Sequence, residues 1–411
     1  MRQTGKIFLL TLSLLWVTLS MSDLSAQGLS RLMLDNGLAW SASKLIIASD
    51  YDPLLRDTAN PDRGARKLQE TLRSTLKDVV EQRNFCYMST DEKGDSVLLS
   101  ACLLLPREGE VRGLVVANHY TVCANEEAPT QSMSFDALFC LKGYAVMMAD
   151  YIGYGKTADR VHPYLHVPTE SRTVVDMILH VFDNEIDRPK KRCQPTTLCG
   201  RKLLSDSIVM IGYSQGAAVS VATAQLIAEH YADLIPLRAV YAGGGPYDPA
   251  SMYDKWVSDD YTAIPYAIPL TILGMDAGEQ LRLDLTGLFR EPLLSHYKEW
   301  ITSKRYTVNQ LEQLMVSHHL SDHMPPEGMD KTVMNTALFY HAMQRQSLLS
   351  FRPQVPLFLF HSTEDQWVPS SGSERLAEAI GNDPLLTTDF GAYGNHPIAI
   401  VAFYQRLWNR L

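Results

Sequence analysis

The chain has 411 residues, of which 46% are hydrophobic and 20% charged, and its formal net charge is −9. The run Lys190-Lys191-Arg192 is short. An acidic chain without a longer run of Lys or Arg residues is a poor partner for nucleic acid or an anionic membrane, so composition argues against both. The length suits one large domain with an insertion.

The first 26 residues have the pattern of a secretory signal sequence. Arg2 and Lys6 precede an apolar stretch at residues 7–19, and a small polar segment follows up to residue 27. This order is typical of a cleaved signal, and the apolar stretch is shorter than the roughly 20 residues that span a bilayer. We therefore expect an exported protein, secreted or periplasmic, with no membrane-spanning segment in the mature chain.

The mature chain is predicted to start with a helical extension and to continue as alternating strands and helices. Leu68, Leu72 and Leu76 recur at helical spacing between residues 66 and 80. Apolar runs predict strands at residues 84–89, 96–105, 112–118, 144–149, 206–211, 237–242, 355–360 and 385–390. The first two form a hairpin, and most later runs are separated by stretches of helical length. The pattern indicates an α/β fold with a mostly parallel sheet covered by helices on both faces, in which ligand sites lie outside the carboxyl ends of the strands.

Residues 247–352 interrupt this alternation. They are rich in Met, Tyr, Trp and Leu, with helix-like segments at 292–302, 308–316 and 331–346. A simple crossover needs far fewer residues. We predict a core at residues 27–246 and 353–411, and a helical cap at 247–352 over the active edge of the sheet. The alternative is a helical outgrowth that packs elsewhere.

Gly212-Tyr213-Ser214-Gln215-Gly216 stands where a predicted strand turns into a helix. In G-x-S-x-G, the serine occupies the tip of a sharp, strained turn, and the glycines keep strand and helix from colliding. Ser214 is therefore the predicted catalytic nucleophile. The alternative is a helix start that happens to be bounded by glycines.

A serine hydroxyl needs a base to take its proton, and the base needs an acid to orient it. Asp365 stands in a loop just past a predicted strand, and His396 stands in the loop after the next strand. The chain order Ser, Asp, His is that of the α/β-hydrolase sheet. Glu364 is a rival for the acid, and His361 is interpreted as a structural residue that orients the acid loop.

The negative oxygen of a tetrahedral intermediate needs two hydrogen-bond donors. We predict the backbone N–H of Gln215 as the first, at a helix N-terminus. The second is expected in the loop after the third strand, from Thr121 or Tyr120, with Thr121 preferred. His119 is either a substrate-binding residue or a loop residue that makes hydrogen bonds.

These motifs together resemble α/β-hydrolases, and within them the secretory lipase and esterase group. The resemblance rests on the Ser214 elbow, the loop His-x-x-x-Asp-x-x-Val-Pro from His361, the late His396, and Asp150-Tyr151-Ile152-Gly153-Tyr154-Gly155 followed by His162-Pro163-Tyr164-Leu165. It covers most of residues 112–411 and weakens in the insertion and in the first eighty residues. The group often has His-Gly where this chain has His119-Tyr120. The resemblance implies a carboxylic ester hydrolase that works through an acyl-enzyme and needs no cofactor.

The substrate is expected to be a small-molecule or lipid ester, while oligomeric state is left open. Tyr213, Tyr261 and Tyr266 are candidate substrate-binding residues, although aromatic residues at such spacing belong to a core more often than to a ligand surface. A serine peptidase of the aminopeptidase type, or an acyltransferase, is possible on the same three residues. A binding protein without activity is disfavoured because all three triad residue types stand in order.

Two further residue groups are assigned from the sequence. The histidines at 318, 319 and 323 lack the spacing of a zinc-protease motif, so no metal site is predicted. Six cysteines in an exported chain favour disulfides, with Cys193 to Cys199 the leading pair. Pairs 86 to 102 and 123 to 140 are further candidates.

Overall fold

The computed structural model describes residues 79–189 and 194–411. The predicted signal sequence, residues 66–78 of the predicted helical extension, and Cys193 lie outside this part of the chain. Residues 80–411 form one compact unit.

The unit is built on an eight-stranded sheet. In chain order the strands are β1 (Val80–Thr90), β2 (Ser96–Pro106), β3 (Gly113–Asn118), β4 (Tyr144–Ala149), β5 (Ile208–Tyr213), β6 (Leu237–Gly243), β7 (Leu357–Ser362) and β8 (Leu386–Gly391). Their spatial order is β1-β2-β4-β3-β5-β6-β7-β8. The first two strands form the antiparallel hairpin, β2 pairs antiparallel with β4, and the pairs from β4 through β8 are parallel. The carboxyl ends of β3 to β8 therefore meet at one edge.

The central strands read as continuous apolar runs because both faces of the sheet are covered. All residues of β3, β4 and β5 are buried. Strands of parallel sheets that are buried on both faces typically lack the alternation of polar and apolar residues. The α/β architecture predicted from the sequence is confirmed.

The helices are α1 (Val167–Asn184), α2 (Gln215–His230), α3 (Pro249–Asp259), α4 (Ala267–Glu279), α5 (Leu293–Tyr297), α6 (Val308–Leu314), α7 (Leu320–His323), α8 (Pro326–Met329), α9 (Met334–Arg345), α10 (Ser371–Ile380) and α11 (His396–Arg410). A π-helical turn, Lys298–Thr302, continues α5. Short 3₁₀ segments occupy Asn125–Glu127, Phe135–Lys142, Gly155–Thr157 and Leu285–Gly287. A separate antiparallel sheet joins Ile186–Asp187, Thr197–Leu198 and Arg201–Lys202.

Helices α3 to α9 lie between β6 and β7 in the chain and have a hydrophobic core of their own. That core also includes Cys123, Tyr164 and Leu165, and Trp367 packs against it. These four residues belong to the segments after β3, β4 and β7. The inserted helices thus pack on segments that leave the carboxyl-end edge of the sheet.

Polar contacts add to this packing. Lys304, after the π-helical turn, donates from Nζ to the carbonyl oxygens of Ala158 (3.1 Å) and Arg160. Asp248, just before α3, forms an ion pair with Arg375 of α10 at 2.9 Å. Polar contacts therefore join the inserted segment to the loop after β4 and to α10.

Candidate active site

Ser214 lies between β5 and α2 in a backbone conformation that non-glycine residues rarely adopt. Its φ is 56° and its ψ is −125°, and its backbone N–H donates to Gly243 O at 2.8 Å. Such a conformation costs on the order of 1–3 kcal/mol and persists only where surrounding contacts fix it. The turn places Ser214 at the carboxyl-end edge, with the following helix beginning at Gln215.

Both glycines of the elbow are sterically required. A Cβ on Gly212 would lie 2.0 Å from Gly216 O, and a Cβ on Gly216 would lie 1.9 Å from Asn118 O. The obstructing atoms are backbone, which cannot rotate away. The close approach also shows that the end of β3 touches the first turn of α2.

His396 and Asp365 meet at the same edge. His396 Nδ1 lies 2.5 Å from Asp365 Oδ2, and Asp365 Oδ1 accepts from the backbone N–H groups of Trp367 and Val368, both at 2.9 Å. Burial alone would raise the pKa of Asp365, but His396 and His361 outweigh it and hold that pKa well below the usual range. The carboxylate is therefore charged at neutral pH and faces Nδ1, which leaves Nε2 of His396 for another partner.

Hydrogen bonds join the loop that holds Asp365 (the acid loop) to the loop that precedes His396 (the histidine loop). Asn395 caps α11, and its Oδ1 accepts from the N–H groups of His396 (2.8 Å) and Gln366 (3.0 Å). Ser362 Oγ donates to Gly394 O at 2.6 Å. His396 is thus the first residue of a capped helix whose cap also holds the acid loop.

The neighbours of Asp365 have different contacts. Glu364 Oε2 accepts from Gly394 N–H at 2.7 Å, so this carboxylate contacts the backbone of the histidine loop. His361 is fully buried, with Nε2 2.9 Å from Val368 O and 3.4 Å from Asp365 Oδ2. These contacts fit the structural role inferred for His361.

Tyr213 lies behind the histidine. Its hydroxyl donates to His396 O at 2.8 Å, its ring centroid is 4.8 Å from the imidazole centroid, and its side chain is buried. Trp367 stacks on the imidazole at 5.4 Å. In the structure Tyr213 therefore positions His396, because its hydroxyl and ring are both engaged there.

The loop after β3 approaches the helix that begins at Gln215. A Cβ on Gly216 would also lie 2.8 Å from His119 O. Thr121 Oγ1 is 2.9 Å from Tyr164 OH, whereas Tyr120 is half exposed. The predicted sources of both oxyanion donors are therefore neighbouring segments.

His119 is a buried residue of this loop. Its ring stacks on Tyr151 at 4.1 Å, and Nδ1 lies 2.7 Å from Tyr120 O. Burial lowers the pKa of His119 to about 4, so the ring is neutral at pH 7. These contacts favour the alternative in which His119 organises the loop.

A buried polar network, which no sequence motif predicts as a whole, lies beside the elbow. The side-chain amide of Gln215 donates to Glu170 Oε1 at 2.5 Å and is 2.8 Å from His162 Nε2. Glu170 lies in the first turn of α1, and all three residues are buried. The His-Pro-Tyr-Leu motif indicated His162, but a glutamate within an amphipathic helix is typical of a solvated face.

The two candidate tyrosines of the inserted helices occupy different environments. Tyr266 is 3% exposed and belongs to the core of the inserted helices. Tyr261 is 44% exposed and stacks on His318 with ring centroids 5.8 Å apart. Of these two tyrosines, Tyr261 is the one that offers a substantial accessible surface.

His318 and His323, after α6, contact backbone carbonyl oxygens. His318 Nδ1 is 3.0 Å from Thr262 O, and His323 Nε2 is 2.7 Å from Ser317 O. Among residues 79–189 and 194–411 no group of three or more His, Cys, Asp or Glu residues is arranged to hold a metal ion.

The cysteines that the structure describes are free thiols. Cys86, Cys102, Cys123 and Cys140 are unbridged, so the predicted pairs 86 to 102 and 123 to 140 are absent from the structure. Cys199 is also free, and its Sγ donates to Glu185 Oε2 at 3.1 Å. The predicted bridge from Cys199 to Cys193 is therefore absent from the structure, and Cys193 itself lies outside the described residues.

Comparison with known proteins agrees with this architecture. The family model of secretory lipases matches residues 202–386, just under half of the chain. The chain has the α/β-hydrolase fold and resembles the secretory lipases. No curated protein matches it.

Solved structures share this fold. The rice cell wall degrading esterase LipA from Xanthomonas oryzae aligns with a TM-score of 0.65 and 19% identity over 82% of this chain and 95% of that chain. Lipase A from Candida antarctica aligns with a TM-score of 0.55 and 15% identity over 77% of this chain and 73% of that chain. None of the helices in the described part of the chain is long and apolar enough to cross a membrane.

Proposed function

We propose that this α/β-hydrolase is an exported serine hydrolase that cleaves carboxylic esters, as an esterase or lipase, through an acyl-enzyme on Ser214. The observation that carries the proposal is the 2.5 Å contact between His396 Nδ1 and Asp365 Oδ2 at the sheet edge where Ser214 occupies the strained elbow. The match of residues 202–386 to secretory lipases supports esters as the substrate class and export as the destination.

The reaction follows from the roles of the three residues. Nε2 of His396 takes the Ser214 hydroxyl proton as Oγ attacks the ester carbonyl carbon, and Asp365 stabilises the imidazolium. The C–O bond to the alcohol then breaks, and His396 gives its proton to the leaving oxygen. Water attacks the acyl-enzyme by the same steps and releases the acid, so no cofactor takes part.

The backbone N–H of Gln215, with that of Thr121 or Tyr120, would donate to the tetrahedral oxygen. The contact between Gly216 and the end of β3 supports a donor from each of these segments. Losing one such donor typically costs about 3–4 kcal/mol of barrier. Residues 247–352 would form a cap over this site, since their core includes residues that follow β3 and β4.

The proposal is tested with the purified mature protein and p-nitrophenyl esters of increasing acyl length. We expect ester turnover that Ser214→Ala abolishes, with circular dichroism showing that the variant is folded. Aminoacyl anilides test the peptidase alternative, and an added alcohol acceptor tests acyl transfer. Hydrolysis of anilides without hydrolysis of esters, or unchanged turnover in Ser214→Ala, would contradict the proposal.

A further inference from the structure

Gln215 has a second set of contacts besides those of its backbone. Its carboxamide Nε2 has two hydrogens, and it contacts two buried acceptors, Glu170 Oε1 at 2.5 Å and His162 Nε2 at 2.8 Å. Only the nitrogen of the amide can serve both contacts if both partners accept. The side-chain orientation is therefore determined by its partners.

The acceptor role of His162 is set by its other ring nitrogen. Nδ1 lies 2.7 Å from Ile152 O, and a carbonyl can only accept, so Nδ1 holds the proton and Nε2 is the acceptor. Burial lowers the pKa of His162 to about 3, which keeps the ring neutral. Tyr151, Tyr154 and Tyr164 surround the imidazole with ring centroids at 6.1, 5.1 and 5.9 Å.

Fixing this side chain also restricts the backbone. The carboxamide and the N–H of Gln215 extend from the same Cα, at the start of α2 directly after the strained Ser214. Two hydrogen bonds on the amide oppose rotation of the peptide that joins residues 214 and 215. That peptide holds the N–H that the proposed mechanism uses.

We propose that Glu170 and His162 are positioning residues which hold Gln215 through its side-chain amide, and thereby keep its backbone N–H directed at the developing oxyanion. This inference rests on the proposed serine hydrolase function. Both side chains are buried, and each contacts the Gln215 amide. Their effect should appear in the chemical step rather than in substrate binding.

The charge state of Glu170 gives this network a pH dependence. Burial raises the pKa of Glu170 to about 8, so the carboxyl is neutral at pH 7 and becomes a carboxylate above pH 8. A negative charge beside the oxyanion donor disfavours the negative intermediate. The turnover number should therefore fall as pH rises through about 8.

Other titratable groups face the network and need separate controls. They are His119 after β3, the tyrosines at 151, 154 and 164, and Lys304 from the inserted helices. Burial lowers the pKa of Lys304 to about 8, so it loses its charge in the same pH range. Lys304→Met should keep the alkaline fall in turnover, while Glu170→Gln, which cannot ionise, should lose it.

The main test compares kinetics of Glu170→Ala, Glu170→Gln and Gln215→Met on a p-nitrophenyl ester at pH 7. We expect Glu170→Ala and Gln215→Met to lower kcat about 10- to 100-fold with KM changed less than about 3-fold, and Glu170→Gln to restore kcat because it keeps an acceptor oxygen. In the double variant Glu170→Ala with Gln215→Met, kcat should be no lower than in Gln215→Met. Residues that act through one another give such non-additivity.

The outcomes separate the inference from the function on which it rests. Wild-type kcat in a folded Glu170→Ala, or losses that multiply in the double variant, would overturn the inference while Ser214→Ala remains inactive. If Glu170→Ala does not fold, the pH profile of Glu170→Gln decides, and an alkaline fall unchanged from wild type overturns the inference. Ester turnover in Ser214→Ala would contradict both the inference and the proposed serine hydrolase function.

Discussion

Asp365 and Glu364 are adjacent carboxylates with different partners, and this difference predicts different effects of removing their charge. Asp365→Asn keeps the shape but loses the anion that orients the Nδ1–H of His396, so we expect kcat to fall by roughly 10⁴-fold. Glu364→Gln is the matched control, because an amide oxygen can still accept from Gly394 N–H. Steady-state kinetics on one ester measure both.

The two variants should have similar melting temperatures, which separates a catalytic loss from unfolding. A larger fall in kcat for Glu364→Gln than for Asp365→Asn would make Glu364 the acid of the triad. That outcome would contradict the geometry, in which Asp365 Oδ2 is 2.5 Å from His396 Nδ1.

At the scale of elements, the contact between β3 and α2 predicts that the elbow cannot accept a methyl group. Gly216→Ala would place Cβ 1.9 Å from Asn118 O, so we expect loss of folded protein or of activity. Gly372→Ala in α10 is the control, because a Cβ at that position would meet no atom within 4 Å and Ala favours helix over Gly by about 1 kcal/mol. Soluble yield and melting temperature distinguish the two, and a fully active, stable Gly216→Ala would contradict this packing.

The cap of α11 has a second role because it joins the loops that hold Asp365 and His396. Asn395→Ala removes the acceptor of His396 N–H and of Gln366 N–H. Loss of a helix cap costs about 0.5–2 kcal/mol of unfolding free energy, measured by urea denaturation. We also expect a lower kcat, and Asn395→Asp should restore much of the stability since it keeps the acceptor oxygen. Stability and kcat that are both unchanged in Asn395→Ala would show that the cap holds neither loop.

At the scale of the whole molecule, the state of the cysteines gives a prediction about reactivity. Cys86 is exposed, while Cys102, Cys123 and Cys140 are buried, and burial raises the pKa of each of these three thiols. Thiolates are the reactive form, so iodoacetamide should modify Cys86 before these three buried thiols in the native protein. Peptide mass spectrometry identifies the alkylated cysteines, with Cys86→Ser as the control. Rapid modification of the buried three would contradict their burial.

The sequence predicted the features that depend on local pattern. Apolar runs located the strands of the parallel sheet, most within two residues, because strands buried on both faces contain few polar residues. The elbow and the order of Ser214, Asp365 and His396 followed from motif and spacing. Helix α4 was missed because it is apolar on nearly all sides, which gives no helical period.

Contacts between segments that are distant in the chain could not be predicted from the sequence. Glu170 and Gln215 are 45 positions apart, and only the packing of α1 against α2 brings them together. The bridges proposed from the spacing of cysteines failed for the same reason, because closeness in the chain does not place two Sγ atoms in bonding geometry.

Glu170 also predicts how the stability of the whole molecule depends on pH. Because burial raises its pKa from 4.5 to about 8, folding favours the protonated form. The stability that the protonated Glu170 contributes to the folded protein is fully present below the unfolded pKa near 4.5. It is lost as pH rises through about 8, the pKa in the folded protein. Glu170→Gln stays neutral at every pH, so the difference in melting temperature between this variant and wild type should increase in favour of the variant from pH 5 to pH 9. Glu108→Gln, at an exposed position, should follow wild type throughout. A difference that stays constant across this range would mean that Glu170 keeps the same charge in the folded and unfolded protein.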